Sequence, residues 1–383
     1  MKGAIAIEPK SELRALTGLR GIAAIYVVLF HSFSALPLSN FLTTFVSHGY
    51  LAVDLFFVLS GFVMAMTYGH RFASGWSRGA YLQFLGRRIA RIYPLYLVAT
   101  IVGFFLIVSG CLDASKSPPL GITLVLNLIM IQAWGLAGSL DAPCWSISAE
   151  FAAYLIFPAL LSPTVFCRGS SAWMSGIACA ALVAGLCLLP ASFHHGEYKL
   201  QAMLDFHDVW LALPVFRCLP EFMLGMLAFR VAETPFGLKM GADRWVPLAV
   251  SLMTLAALAT PRADLAAVLL FPILTICVAS GRSIPVRVLS SAPASLLGSL
   301  SFSIYLIHDL LIHVSLDVIR GGGHGSGLTH AHTYASVVGV ALTFPIAYLA
   351  YRFVELPGRR QLRVLFEGGP TSVAVAVPLP VLA

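Results

Sequence analysis

An all-α, polytopic transmembrane helix bundle is the fold class this sequence predicts, and three observations predict it. Of its 383 residues, 58% are hydrophobic and only 11% are charged, less than half the roughly 25% charge of an average soluble protein. Mean hydropathy is +0.87, which excludes a water-soluble globule, a coiled coil, collagen and intrinsic disorder. The apolar runs are long and lack period-two alternation, so backbone facing lipid satisfies itself within helices and not in a β-barrel.

Apolar runs long enough to cross about 30 Å of hydrocarbon cover 18–36, 50–68, 94–110, 145–161, 172–189, 210–231, 245–260, 264–280, 292–316 and 334–353. The first follows Lys2, Lys10 and Arg14; Glu8 and Glu12 before it, and His31 within it, argue against a cleaved signal peptide. Between the second and third spans stand Arg71, Arg78, Arg87, Arg88 and Arg91. Further basic residues are Lys239 and Arg244, Arg282 and Arg287, and Arg359, Arg360 and Arg363 after the last span. All five clusters are expected on the cytoplasmic side. Both termini then lie there, ten runs are full crossings, and an eleventh, 120–136, is re-entrant or half-crossing. Residues 1–363 form one integral membrane domain, and 364–383, rich in Gly, Pro, Ala and Val, are expected to be a disordered tail. The expected location is a cell's inner, cytoplasmic membrane.

The excess of Lys+Arg (24) over Asp+Glu (17) is an orientation signal, and no nucleic-acid partner is invoked; the partner that composition does imply is the lipid bilayer. Seven cysteines are scattered singly without a C-x-x-C pair, so neither a disulfide framework nor a zinc site is indicated. His324, His330 and His332 on a Gly-rich segment, and His194, His195 and His207, read as solvated loops. No metal is expected.

Ionisable groups inside spans are expensive and face a bundle interior. His31 lies eleven residues past Arg20, roughly 16 Å further outward, and His308 is about 24 Å along a span rising from the cytoplasm. Asp54, Glu150 and Arg217 stand near the starts of spans entered from outside. Five ionisable side chains on five spans thus converge on the outer half. On the opposite side, Arg87, Arg88 and Arg91 share one face if helical. They suit either a phosphorylated ligand or anionic-lipid anchoring and positive-inside retention. Transport and transfer of a group across the bilayer both fit this layout.

At these residues the sequence resembles the integral-membrane acyltransferases of acyltransferase family 3. The resemblance rests on seven motifs in family order. They are Leu13-Arg14-Ala15-Leu16-Thr17-Gly18-Leu19-Arg20-Gly21 with Val27-Val28-Leu29-Phe30-His31; Val53-Asp54-Leu55-Phe56-Phe57; R-R-x-x-R-I-x-P from Arg87 to Pro94; Trp145-Ser146-Ile147-Ser148-Ala149-Glu150; Arg217-Cys218-Leu219-Pro220-Glu221; Ser303-Ile304-Tyr305-Leu306-Ile307-His308; and Arg352-Phe353-Val354-Glu355-Leu356-Pro357. Two departures stand out: many members carry Asp where Thr17 stands and a second acidic residue where Phe151 stands, so Glu150 alone would do the pair's work. Some relatives add a C-terminal hydrolase-like domain, and nothing that folds is expected after Arg363, as in the stand-alone polysaccharide acyltransferases.

The resemblance implies an acyl-CoA donor, most often acetyl-CoA, serving as co-substrate with no bound cofactor. It implies a hydroxyl of a carbohydrate or glycolipid acceptor, such as an exopolysaccharide or a lipid-linked sugar. Donor phosphates would then dock at Arg87, Arg88 and Arg91, with Arg14 and Arg20 at the same face. His31 would be the general base, its other nitrogen held by Glu150 first or Asp54 second, or alternatively the residue that carries the acyl group covalently. Trp145, Ser148, Arg217, Tyr305 and His308 would line the acceptor pocket. A secondary transporter or flippase for an anionic or glycolipid substrate is the alternative, weakened by the lack of an inverted repeat.

Overall fold

A computed structural model describes residues 9–33, 40–112, 118–167, 169–190, 203–205, 211–281, 283–319 and 329–367, and they hold helices and turns with no strand. In chain order the helices are α1 (Pro9–Phe33), α2 (Asn40–Ser47), α3 (Ala52–Tyr68), α4 (Arg78–Val108), α5 (Leu120–Leu128), α6 (Cys144–Thr164), α7 (Ser171–Cys187), α8 (Leu213–Ala232), α9 (Pro235–Ala242), α10 (Val246–Leu258), α11 (Asp264–Ser280), α12 (Ile284–Leu289), α13 (Ala292–Ile319), α14 (Thr329–Ala350) and α15 (Leu356–Glu367). Each of the ten expected spans is occupied by a helix. Six segments, 14–33, 41–72, 78–108, 144–164, 292–319 and 333–366, are long and apolar enough to cross a membrane, and α7, α10 and α11 are shorter apolar helices. His194, His195, His207 and His324 and residues 368–383 lie outside the described residues. α14 begins at Thr329, so the backbone at 330 and 332, expected in a loop, is helical; likewise 364–367, assigned to the tail, form the end of α15.

α4 starts sixteen residues before the run read from hydropathy. Ser77 caps it by accepting from the Ala80 amide at 3.4 Å, and the helix runs unbroken through Arg87, Arg88 and Arg91 to Val108. Hydropathy misses this first half because Arg78, Arg87, Arg88 and Arg91 lower the local average.

Small residues set the closest helix contacts, as expected where van der Waals packing drives association in lipid. A Cβ at Gly61 of α3 would overlap the Phe222 carbonyl of α8, and one at Gly225 of α8 would overlap the Val58 carbonyl of α3. Gly21 of α1 meets Leu297 and Gly298 of α13 in the same way. These two contacts hold α1 on α13 and α3 on α8, the four helices that carry His31, His308, Asp54 and Arg217.

The 120–136 run is not a crossing. α5 has nine residues, about 13.5 Å of rise, and the chain then turns back toward α6. Side chains satisfy its irregular backbone. Asn127 donates to Thr123 O (2.8 Å) and Gly138 O (3.0 Å) and accepts from the Leu140 amide (3.1 Å). Gln132 donates to Cys144 O, and Trp134 donates to Ser148 O. Non-helical backbone is tolerated at membrane depth when protein buries it this way.

Candidate active site

The last turn of α1 carries His31, and α13 brings His308 against it. The His308 Nδ1 lies 2.7 Å from the Tyr305 carbonyl, and its Nε2 lies 3.2 Å from the His31 Nδ1. That His31 nitrogen is also 3.0 Å from the Val27 carbonyl. A ring nitrogen facing a carbonyl oxygen must carry the hydrogen, which assigns both tautomers from the hydrogen-bond pattern. His308 donates from Nδ1 and accepts at Nε2. His31 donates from Nδ1, shared between Val27 and His308. The lone pair therefore stands on the His31 Nε2. His308 is fully buried, whereas His31 is exposed, so a fixed, solvent-shielded imidazole orients an accessible one. Asp309 brings a carboxylate oxygen within 4.8 Å of both rings and lies 3.4 Å from His313 Nδ1.

Neither carboxylate assigned to orient His31 does so in this structure, which corrects that pairing. Asp54, fully buried, accepts two hydrogen bonds from Arg217, one from Nε at 2.8 Å. Arg217 also donates to Leu204 O at 2.7 Å, and its guanidinium lies 5.5 Å from the centre of the Trp145 ring. Glu221, one turn further along α8, is fully buried beside Asp54. Two carboxylates therefore flank one guanidinium. Beneath them, Asp264 accepts from the Tyr50 hydroxyl and from the Met203 and Leu204 amides, and lies 3.1 Å from His48 Nε2. This network ties residues 203–205 to α11 and seats the carbonyl that Arg217 uses.

Glu150 points the other way, into a cavity of about 110 Å³ lined by α1, α3, α4, α6 and α13. At roughly 10–15 Å³ per water on this measure, the cavity has room for several water molecules or a thin unbranched chain. Arg20, Arg88 and Arg91 line its floor with Glu150 and Tyr154, and Ser146 and Tyr305 line its far end. The Arg88 Nη2 donates to the Tyr68 hydroxyl at 2.9 Å. Arg91 forms an ion pair with Glu355, whose second oxygen accepts from Ser303 at 2.9 Å. Glu355 reaches Arg91 because the last turn of the preceding helix widens to π geometry at Tyr351–Glu355, just ahead of Pro357, which lacks the amide hydrogen an α-turn would need. At the far end the Ser146 and Tyr305 hydroxyls are 2.8 Å apart, and Tyr305 is one helical turn below His308.

The expected residues thus separate into three groups. Arg20, Arg88, Arg91, Glu150 and Tyr305 share the cavity; His31 and His308 stand together beyond its end; the buried Asp54 and Arg217, with the half-buried Trp145, form a wall beside it. Arg14 is exposed, and neither it nor Arg87 lines the cavity. Ser148 is fully buried and accepts from the Ala133 amide at 3.1 Å, so it anchors the re-entrant segment instead of facing an acceptor. Sequence reasoning assigned no role to Glu355, Glu221, Asp309 or Tyr154. Glu221 could have been found from its i, i+4 spacing to Arg217, and Asp309 from its place next to His308.

The family model described as acyltransferase domain matches residues 13–352. The acyltransferase MdmB of Streptomyces mycarofaciens is 28% identical over 323 residues, covering 81% of each chain. The O-acetyltransferase OatA of Staphylococcus aureus is 22% identical over 386 residues, covering 91% of this chain and 57% of its own length. A shorter match, 41% identical over 91 residues, is to protein 2 in the picA locus of Rhizobium radiobacter, covering 24% of this chain and 44% of that protein.

Proposed function

Since the chain belongs to the acyltransferase domain family and is an enzyme that transfers acyl groups, we propose that it moves an acyl group, most simply acetyl, from cytoplasmic acyl-CoA to a hydroxyl of a carbohydrate acceptor, an exopolysaccharide or lipid-linked sugar. The arginine end of the cavity faces the cytoplasm of an inner-membrane protein, and the histidine end faces outward. The donor's phosphates bind at Arg20, Arg88 and Arg91, and its pantetheine arm enters the cavity toward Tyr305. The acceptor hydroxyl oxygen attacks the thioester carbonyl while His31 Nε2 takes its proton. The carbon–sulfur bond breaks and an ester is formed; the thiolate leaves with the coenzyme and is protonated, by way of water, by the proton that His31 took, which restores the neutral imidazole.

The observation that carries this reading is the tautomer relay from the Tyr305 carbonyl through His308 to His31. It leaves a lone pair accessible on His31 and puts a hydrogen-bond acceptor behind the ring. A general base so oriented typically contributes 10² to 10⁴ in rate, and the orienting service resembles that of the third member of a triad. The carbohydrate class rests on the motif resemblance, and the acetyl group on the relative named as an O-acetyltransferase. In purified protein given radiolabelled acetyl-CoA and acceptor, His31→Ala should abolish transfer and leave membrane insertion intact. Retained acylation would overturn the assignment.

A further inference from the structure

The arginines lining the cavity floor do not end with α4. α15 is amphipathic and lies along the first half of α4, where Gly86 admits the Phe366 ring and Gly358 rests on Pro94. Its Arg359 and Arg363, at i and i+4, are half-buried, whereas Arg360 between them is exposed. Arg359 is within electrostatic range of Arg363, Arg88 and Arg91, and Arg91 in turn of Arg20. Five guanidiniums from three helices therefore form one cluster.

Two carboxylates answer them. Glu355 takes Arg91 and Glu150 faces Arg20. Among the described residues, Arg88, Arg359 and Arg363 have no carboxylate within 4 Å. The Nε atoms of Arg88 and Arg363 are shielded from solvent and have no acceptor. Buried donors are almost always satisfied, and clustered like charges with orphaned donors mark a place where an anion supplies both the charge and the acceptors. Three unanswered positive charges call for a ligand with several phosphate groups, each phosphomonoester carrying about −1.5 to −2 near neutral pH.

We propose that Arg359 and Arg363 of α15 complete, with Arg88, a site for a multiply phosphorylated anion, and that this anion is the nucleotide end of the acyl-CoA donor. The proposal deepens the donor reading above and rests on it. α15 thereby closes one side of the cavity entrance, and the donor is gripped between α4 and α15. Lipid headgroup phosphates have the same chemistry, so the test must separate the two sources.

Full-length protein in phosphatidylcholine nanodiscs is titrated calorimetrically with coenzyme A and with adenosine 3′,5′-bisphosphate. Arg359→Gln and Arg363→Gln should each weaken both ligands roughly tenfold, the loss of one charge-assisted contact. Arg360→Gln, which removes the same charge from the exposed face, should leave both unchanged. In turnover, KM for acetyl-CoA should rise in the first two variants while kcat at saturating donor holds, and Arg363→Lys should recover part of the loss. Variants that bind as tightly as the parent protein overturn the role of α15 alone. So does a defect that appears only when phosphatidylglycerol is added to the nanodiscs, which would make a headgroup the ligand. A parent protein that binds neither ligand overturns the donor reading and the role of α15 with it.

Discussion

Replacing His308 with Phe tests the relay most directly, because it keeps a ring of similar volume in a fully buried position and deletes the Nε2 acceptor 3.2 Å from His31 together with the Nδ1 donor that fixes its tautomer. Before proton transfer, His31 is neutral, and its hydrogen bond to His308 is worth about 0.5–1.5 kcal/mol. After Nε2 takes the acceptor's proton, the ring is a cation and the same bond is charge-assisted, worth about 1.5–3 kcal/mol. Only the difference, roughly 1–1.5 kcal/mol, stabilises the transition state over the ground state, and that is about tenfold in kcat. The loss stays this small because Val27 O, 3.0 Å from Nδ1, still holds the hydrogen on that nitrogen and keeps the tautomer. The assay is kcat at saturating donor and acceptor with purified, monodisperse protein. A fall as deep as that of His31→Ala would refute the reasoning, since it would make His308 a direct participant in proton transfer. An unchanged kcat would refute it equally, since Val27 alone would then suffice.

Further outcomes follow from the rest of the site. Asp54→Asn removes the carboxylate that accepts from Arg217 Nε and Nη2 and leaves only Glu221 beside the guanidinium, a loss of up to about 3–5 kcal/mol for a broken buried pair, so thermal unfolding in detergent should shift downward. An Asp54→Asn protein with parental stability and no turnover would instead assign chemistry to that carboxylate. Gly225→Val puts a side chain into the Val58 carbonyl, and overpacking of about 1–3 kcal/mol or more should lower the yield of folded protein in size-exclusion chromatography; a normal profile would show that α3 and α8 can separate freely. Arg91→Ala should raise KM for the donor and also destabilise the protein, because Glu355 is then buried without its cation. An effect on KM with stability intact would mean that Glu355 finds another partner.

Much of the architecture is legible in the chain because it depends on local quantities. Ten apolar runs mark ten helices, since lipid leaves the backbone no other way to bond. The rise per residue alone separates Arg20 from His31 on α1, and i, i+3, i+4 spacing alone puts Arg88 and Arg91 on one face of α4. The short 120–136 run reads as a partial crossing from charge bookkeeping, and nine helical residues agree. Where hydropathy falls short, at the start of α4, the reason is local too: Arg78, Arg87, Arg88 and Arg91 look like a loop to an averaging window.

Which charge meets which was not legible. The depth argument gathered His31, Asp54, Glu150, Arg217 and His308 at one level, and a base at that level could have been paired with any of the carboxylates. The pairing depends on which helix faces lie opposite one another, and contacts between glycines and backbone carbonyls settle that. His31 finds His308 across 277 positions, Asp54 finds Arg217 across 163, and Arg91 finds Glu355 across 264. Composition and periodicity determined that this chain crosses a bilayer as helices and that Arg20, Arg88 and Arg91 lie at the opposite end from His31 and His308, because hydrophobicity and rise are properties of single segments. Only tertiary packing decided that a second imidazole, and not a carboxylate, stands behind His31, because a side chain's partner is set by the rotation of two helices about their axes, which no single segment encodes.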